Sequence, residues 1–185
     1  SRGLGDVYKR QSRDIEKRIE KYIASDLNPV ETSKIGKAYR FDESGPRYIE
    51  FCKSTVPSDI SFSSLRIVLD CANGACYKVT PEIFEELGAE VITIGNDPDG
   101  YNINEGCGST HPEVVKEAVI KHRADYGISL DGDGDRVILV DEKGNILDGD
   151  DLLYILAFSN PNRTGSWSGV VGTLMSNHGL EDGIK

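Results

Sequence analysis

"LRIVLDCANGACYKVTPEIFEELGAEVITIGND", residues 65–97, changes its hydrophobic period twice, and that double change decides the fold. Leu65–Leu69 is a short apolar run, the length of a buried strand. Small residues follow, then Pro81 to Leu87 read as a helix that Gly88 stops, and Val91–Ile94 is a second short apolar run. Strand, helix, strand in this spacing predicts a βαβ unit. Because such crossovers are right-handed, its strands are parallel, and the loop "DCANGAC" leaves the carboxyl end of the first. Open α/β sheets place ligands at that rim.

Working outward, "NDPDGYNINEGCGS" (96–109) reads as a loop. A helix follows with Thr110 as N-cap, Pro112 and Glu113 in its first turn, and Val114, Val115, Ala118 and Val119 as its inner stripe. Tyr126–Leu130 is predicted as a third strand, so "DGDGDR" (131–136) falls on the same rim as "DCANGAC". Two strands joined by the turn "EKGN" come next, then the helix "GDDLLYILAFS", with Asp150 or Asp151 at its positive end. "NPNRTGSWSG" (160–169) reads as a linker, and "VVGTLMSNHGLEDGIK" as a strand, a loop and the opening of a helix that looks truncated. Upstream, "SRDIEKRIEKYIASD" puts Ile15, Ile19, Tyr22 and Ile23 on one helical face. "KAYRFDESGPRYIEFCKSTV" alternates around the turn signal "DESGP" and predicts a hairpin or an extended crossing, with Tyr48, Ile49 and Phe51 partly buried. The expected class is α/β, a mainly parallel sheet with flanking helices.

With 185 residues the chain is long enough for an independent core. No apolar run approaches the ~20 residues of a membrane span, and no secretory signal opens the chain. Thirty-one acidic against 21 basic residues give a net charge of −10, which argues against nucleic acid and anionic membranes as partners. Cys52, Cys71, Cys76 and Cys107 show no Cys-x-x-Cys spacing and read as free thiols of a reducing, cytoplasmic compartment.

Asp131, Asp133 and Asp135 crowd three carboxylates into five residues, with Gly132 and Gly134 between them. Near a surface a unit-charge pair at ~4 Å interacts by ~4 kcal/mol, so the cluster demands a counter-charge. Hard oxygen donors grouped this way suit Mg²⁺ or Ca²⁺, whereas zinc would want His or Cys. An EF-hand loop would also space its ligands so, and Glu142 falls at its twelfth position; the sixth, which needs glycine, is Arg136, and the flanks read as strands. A solvated acidic turn is the bland alternative. Arg136 adds a planar donor fork suited to phosphate oxygens.

These residues resemble the α-D-phosphohexomutases. "GISLDGDGDRVILVDEKGNILDGDDLLYILA" is similar to that family's metal loop and following helix, "IVLDCANGACY" to the opening of its second domain, and "NINEGCGSTHPE" to a loop of that domain. "RYIEFCK" and "VGTLMSNHGLE" resemble the branch that acts on an amino sugar. The resemblance covers Ser12 to Lys185 and implies a four-domain enzyme interconverting glucosamine 6-phosphate and glucosamine 1-phosphate through a phosphoserine and a bisphosphate. It implies Asp131, Asp133 and Asp135 as Mg²⁺ ligands, Arg136 as a phosphoryl contact, and a phosphorylated amino sugar as substrate. It divides the chain into a non-native or disordered leader (1–11), the end of a first domain (12–45), a second domain with the metal loop (46–160), and a linker with the start of a third (161–185).

The family's serine loop, similar to Thr-Ala-Ser-His-Asn-Pro, does not occur in these 185 residues, so the chain alone is expected to be inactive. "GSTHPE" imitates it superficially, but Ser109 sits in the second domain and reads as capping the next helix rather than as a nucleophile. Asn73 and Gly74 are expected to shape a turn, His122 and His178 to be surface or packing residues, and Trp167 to sit in the linker. Ser176 and Asn177 are expected near a cleft. Two other functions stay open on the sequence: a phosphomannomutase or phosphoglucomutase of the same superfamily, and a non-catalytic Ca²⁺-binding module.

Overall fold

The structure, a computed structural model, describes residues 12–26, 29–159 and 170–184. The predicted leader 1–11 and the predicted linker 160–169 with Trp167 lie outside the described residues. The chain divides into two compact units between Phe41 and Asp42.

The first unit holds helix α1 (Arg13–Ile23) and a short 3₁₀ turn at Thr32–Lys34. Ser12 caps α1, its side chain accepting a hydrogen bond from the Ile15 N–H. Asp14 and Glu16 in the first turn and Lys21 in the last complement the helix dipole. The stripe Ile15, Ile19, Tyr22 and Ile23 forms as the spacing predicts, and all four side chains are exposed.

The second unit opens with a correction. Ser44–Ser54 is a helix, α2, where a hairpin or extended crossing was expected. Pro46 lies in its first turn, where no backbone N–H is needed, so it permits the helix it seemed to forbid. Gly45, Ile49, Cys52 and Lys53 are its less exposed positions, a helical stripe. Only Ile49 is fully buried, while Tyr48 and Phe51 stand 53% and 64% exposed. Lys53 ties α2 to Glu86 of helix α3 (Val79–Glu86).

The remaining elements follow the expected order within a residue or two. They are strands β1 (Arg66–Asp70) and β2 (Glu90–Ile94), helix α4 (Pro112–His122), strands β3 (Tyr126–Leu130), β4 (Val137–Asp141) and β5 (Ile146–Leu147), and helices α5 (Gly149–Ser159) and α6 (His178–Ile184). The sheet order is β2-β1-β3-β4-β5. β1 lies parallel to both β2 and β3, and the β4–β5 hairpin adds antiparallel to β3.

Alternation along β1 feeds two cores, one on each face of the sheet. Val68 joins Val115, Val119, Ala124 and Val140 on the α4 side, while Ile67 and Leu69 join Cys71 and Ala89, with Phe62, Phe84 and Ile128 packed against them, on the α3 side. α4 lies so close to β3 that a Cβ on Gly127 would stand 2.6 Å from Val119 Cγ2. α4 ends at Arg123 in the left-handed region, φ 51°, and β3 restarts three residues later.

Two local expectations are revised and a third is refined. The N-cap of α4 is His111 with no side-chain cap bond, so neither Thr110 nor Ser109 caps it; the His111 ring instead meets Glu113. At α5, Asp150 and Asp151 stand in the first turn, at the positive end as expected, while Asp148 takes the capping role: its Oδ1 accepts the N–H groups of Asp150 and Asp151, and Asp151 Oδ2 accepts the N–H of Asp148 in return. The expected strand at Val170 is irregular backbone, and among the described residues no strand pairs with it; Val171, Leu174 and Met175 are 93%, 104% and 88% exposed.

Candidate metal centre

Because β1 and β3 are parallel neighbours, the chain leaves both at the same edge of the sheet. The loop 131–136 then turns back into β4, so the acidic trio sits in the bend of an antiparallel β3–β4 pair beside the β1 loop. Strands on both flanks exclude the helix–loop–helix of an EF-hand.

The bend brings the three predicted carboxylates together. One oxygen from each of Asp131, Asp133 and Asp135 lies within 4.8 Å of the others. Asp131 is buried, whereas Asp133 and Asp135 are exposed. Arg136 closes the loop onto Asp131: its backbone N–H reaches Oδ1 at 3.0 Å and its Nε reaches Oδ2 at 2.7 Å. Asp135 lies farther from the same Nε, at 3.6 Å. Burial works to raise the Asp131 carboxyl, but the backbone N–H and guanidinium of Arg136 outweigh it and hold it below the usual carboxylate range. Within the loop one guanidinium faces three carboxylates, so the loop carries net negative charge. The donor set is all carboxylate oxygen, so it fits a hard divalent cation. Arg136 also lines a groove of about 480 Å³ with Ser109, Thr110, Ile138 and Leu153.

The loop's glycines are there for close approach and for handedness. A Cβ on Gly132 would meet Ile103 at 2.5 Å, and one on Gly74 would fall 2.3 Å from the Gly132 carbonyl oxygen. Gly134 has φ +71°, and a Cβ there would lie 2.5 Å from Cys76 Sγ. Ala75 donates its N–H to Gly132 O at 2.9 Å, bolting the β1 loop to the acidic loop. Ala72 and Asn73 hold φ 54° and 48°, conformations non-glycine residues rarely adopt. Asn73 also receives the Asp97 N–H on its side-chain oxygen and donates to Asn102 O. The expected turn at Asn73 and Gly74 is therefore present, and it is a bracket between loops.

Beneath this lies a residue the sequence reading passed over. Asp70, at the end of β1, is 0% exposed. Its Oδ1 accepts the Ala72 N–H at 3.0 Å, and its Oδ2 accepts the Gly108 N–H at 2.7 Å and the Ser129 hydroxyl at 3.3 Å. The only available signal was an Asp ending an apolar strand and followed by small residues. Next to it, burial and then the Asp70 charge push the Cys71 thiol up to about 12. The same two causes raise Cys107. All four cysteines are free.

The other residues noted in the sequence make local contacts. Ser109 donates its backbone N–H to Leu130 O. His122 gives its carbonyl to Arg66, and His178 is exposed beside Glu181 and Asp182. Asn177 caps α6 through the Leu180 N–H and donates its own N–H to Asp150, while Ser176 accepts from the Thr173 N–H. Both line a surface cavity with Val170, Leu180 and Ile184.

The family described as phosphoglucomutase/phosphomannomutase, alpha/beta/alpha domain II, matches residues 46–144. The chain belongs to this family. Among phosphohexomutase relatives, the phosphoglucosamine mutase of Legionella pneumophila (strain Lens) is 56% identical over 167 residues, covering 90% of this chain and 37% of the relative. That of Marinomonas sp. (strain MWYL1) is 56% identical over 171 residues, covering 92% and 38%. The chain thus spans little more than a third of the curated relatives it matches. Among solved structures, a putative phosphomannomutase from Thermus thermophilus superposes with a TM-score of 0.64 at 19% identity, covering 81% of this chain and 35% of that one, a likeness of fold. A phosphoglucomutase/phosphomannomutase family protein from Burkholderia thailandensis gives 0.52 at 29% identity, covering 61% and 25%.

Proposed function

We propose that this chain is the metal-bearing part of a cytoplasmic phosphoglucosamine mutase, the intact enzyme interconverting glucosamine 6-phosphate and glucosamine 1-phosphate. The observation that carries the metal reading is the convergence of Asp131, Asp133 and Asp135 within 4.8 Å at a ligand rim. The amino-sugar reading rests on the relatives of that name. Asp131, Asp133 and Asp135 would hold Mg²⁺, which when bound neutralises charge on a phosphoryl group. Arg136 would meet phosphoryl oxygens with the side chain that lines the groove, while its Nε orients Asp131. The nucleophilic serine would come from elsewhere in the intact enzyme, since no serine loop of the family pattern occurs in this sequence. Ser109, which lines the groove and whose backbone is tied to Leu130, is not assigned that role.

Two measurements test this. Calorimetric titration of the 185-residue chain should show Mg²⁺ binding that Asp133→Ala weakens at least ~10-fold, with Ca²⁺ no tighter than Mg²⁺. Equal, weak binding to both proteins would remove the metal assignment, and a strong Ca²⁺ preference would favour a non-catalytic module. Assay of the intact enzyme on glucosamine, mannose and glucose phosphates should show preference for the first. The chain alone should convert none of them, and turnover by it would overturn the division of labour proposed here.

A further inference from the structure

The acidic loop is held by the two carbonyls that bracket Asp131. Leu130 O accepts the Ser109 N–H at 2.8 Å, and Gly132 O accepts the Ala75 N–H at 2.9 Å. Those two amides belong to different loops, one entering α4 and one leaving β1. Asp70 joins the two loops. Its Oδ2 receives Gly108, the residue before Ser109, and its Oδ1 receives Ala72, at the start of the turn that delivers Ala75. The joint has no slack: a Cβ on Gly108 would stand 2.7 Å from Ala72 Cβ, and one on Gly95 would stand 2.6 Å from Asp70 Oδ1. Its partners are two backbone amides, whose directions the chain fixes, and the hydroxyl of Ser129 on β3, whose oxygen the sheet places.

We propose that Asp70 is a positioning residue for the acidic loop: through Ala72 and Gly108 it sets where Leu130 and Gly132 stand, and so how closely the Asp131, Asp133 and Asp135 oxygens approach one another. It touches no ion and no substrate. A carboxylate suits the joint because both amide partners can only donate, and a carboxylate offers an acceptor on each oxygen at the short reach of an Asp side chain. In Asp70→Asn, whichever way the amide turns, an NH₂ faces the N–H of Ala72 or of Gly108, and one side of the joint is pushed apart.

The inference rests on the metal reading above for one readout and is independent of it for the other. The variants are Asp70→Asn and, as a control for plain loss of stability, Val119→Ala, a fully buried substitution in the α4 core away from both loops. The first readout is the Kd for Mn²⁺, followed by its EPR signal on the 185-residue chain. The second is amide hydrogen exchange at Ala75 and Ser109 relative to Val68 in the middle of β1. Asp70→Asn should weaken Mn²⁺ binding about tenfold, the cost of losing an outer support of a metal site. It should also speed exchange at Ala75 and Ser109 more than at Val68. Val119→Ala should lower the melting temperature, leave Mn²⁺ affinity unchanged and speed all three amides in proportion. Wild-type affinity in Asp70→Asn, or exchange that rises only in step with Val68, overturns the proposal. If the wild-type chain and Asp133→Ala bind Mn²⁺ equally poorly, the metal reading falls and the exchange ratio alone decides for or against Asp70. Should Asp70→Asn not fold, Ser129→Ala removes a single donor and carries the same test. About threefold weaker binding with faster exchange at Ser109 supports the proposal, and no change in either overturns it.

Discussion

The loops after β1 and β3 leave one edge of the sheet a strand apart, and each starts near a carboxylate that water barely reaches, Asp70 at 0% and Asp131 at 1% exposure. Their partners differ in kind. Asp70 is satisfied by dipoles of the backbone and one hydroxyl, Asp131 by the N–H and guanidinium of a half-exposed arginine. The first arrangement fixes position, because amides cannot leave without unmaking the loops. The second keeps a charge at the rim that another cation can share. Burial alone, then, does not tell these two acids apart; the kind of partner does, fixed amides for Asp70 and a half-exposed side chain for Asp131.

The largest effect should come from breaking the Asp70 side. Asp70→Ala strands the N–H groups of Ala72 and Gly108, and a buried unsatisfied group costs ~1–3 kcal/mol, so a loss of about 2–6 kcal/mol is expected in urea denaturation. Asp133→Ala, on the exposed rim, should stay within about 0.5 kcal/mol of wild type. The reverse order would erase the contrast between the loops. Next in size is Gly74→Ala, whose Cβ would fall 2.3 Å from Gly132 O. Overpacking of this kind costs about 1–3 kcal/mol by the same measurement. Gly149→Ala, with nothing within 4 Å of its Cβ, should be near neutral.

Acid sharpens the Asp131 side. Burial opposes its charged form, but the Arg136 hydrogen bonds and charge win and lower its carboxyl in the folded chain. A group lowered on folding adds stability that is complete above the unfolded value, ~3.9 for Asp, and is lost as the pH falls through the folded value. Urea midpoints should therefore decline less steeply below about pH 4 in Asp131→Asn than in wild type. Parallel profiles would show that the Arg136 contact does not persist in solution. The smallest effect is in thiol labelling. With Cys71 pushed up to about 12, chiefly by burial, Ellman's reagent at about pH 8 should take Cys52 and Cys76 first and reach Cys71 only on unfolding. Native-state labelling of Cys71 as fast as Cys52 would mean the β1 loop opens freely.

Much of this architecture was legible because it is local. The βαβ unit follows from changes of period within a few residues, and the acidic trio is a cluster in sequence before it is one in space. α2 was misread because "DESGP" carries turn residues whose meaning depends on position: Pro46 in a first turn is compatible with a helix, and the stripe from Gly45 to Lys53 only emerges once the helix is assumed. Asp150 and Asp151 were legible at the positive end of α5, but Asp148 as the acceptor of their N–H groups was not, since the three are equivalent as residue types and only geometry separates acceptor from donors. Asp70 was invisible for a different reason. Its partner Gly108 lies 38 residues on and Ser129 lies 59 residues on. No local pattern announces a carboxylate whose donors arrive from so far away.

The contact between Gly74 and Gly132 has one more consequence. Two backbones that meet with no side chain between them, and share the Ala75 to Gly132 hydrogen bond, have nothing compressible to absorb a displacement. The turn on the far side of that contact is itself braced, Asn73 accepting the Asp97 N–H and donating to Asn102 O. At this mouth the acidic loop and the turn at Asn73 are therefore joined backbone to backbone, and a substitution at either glycine is expected to be felt on both sides of the seam.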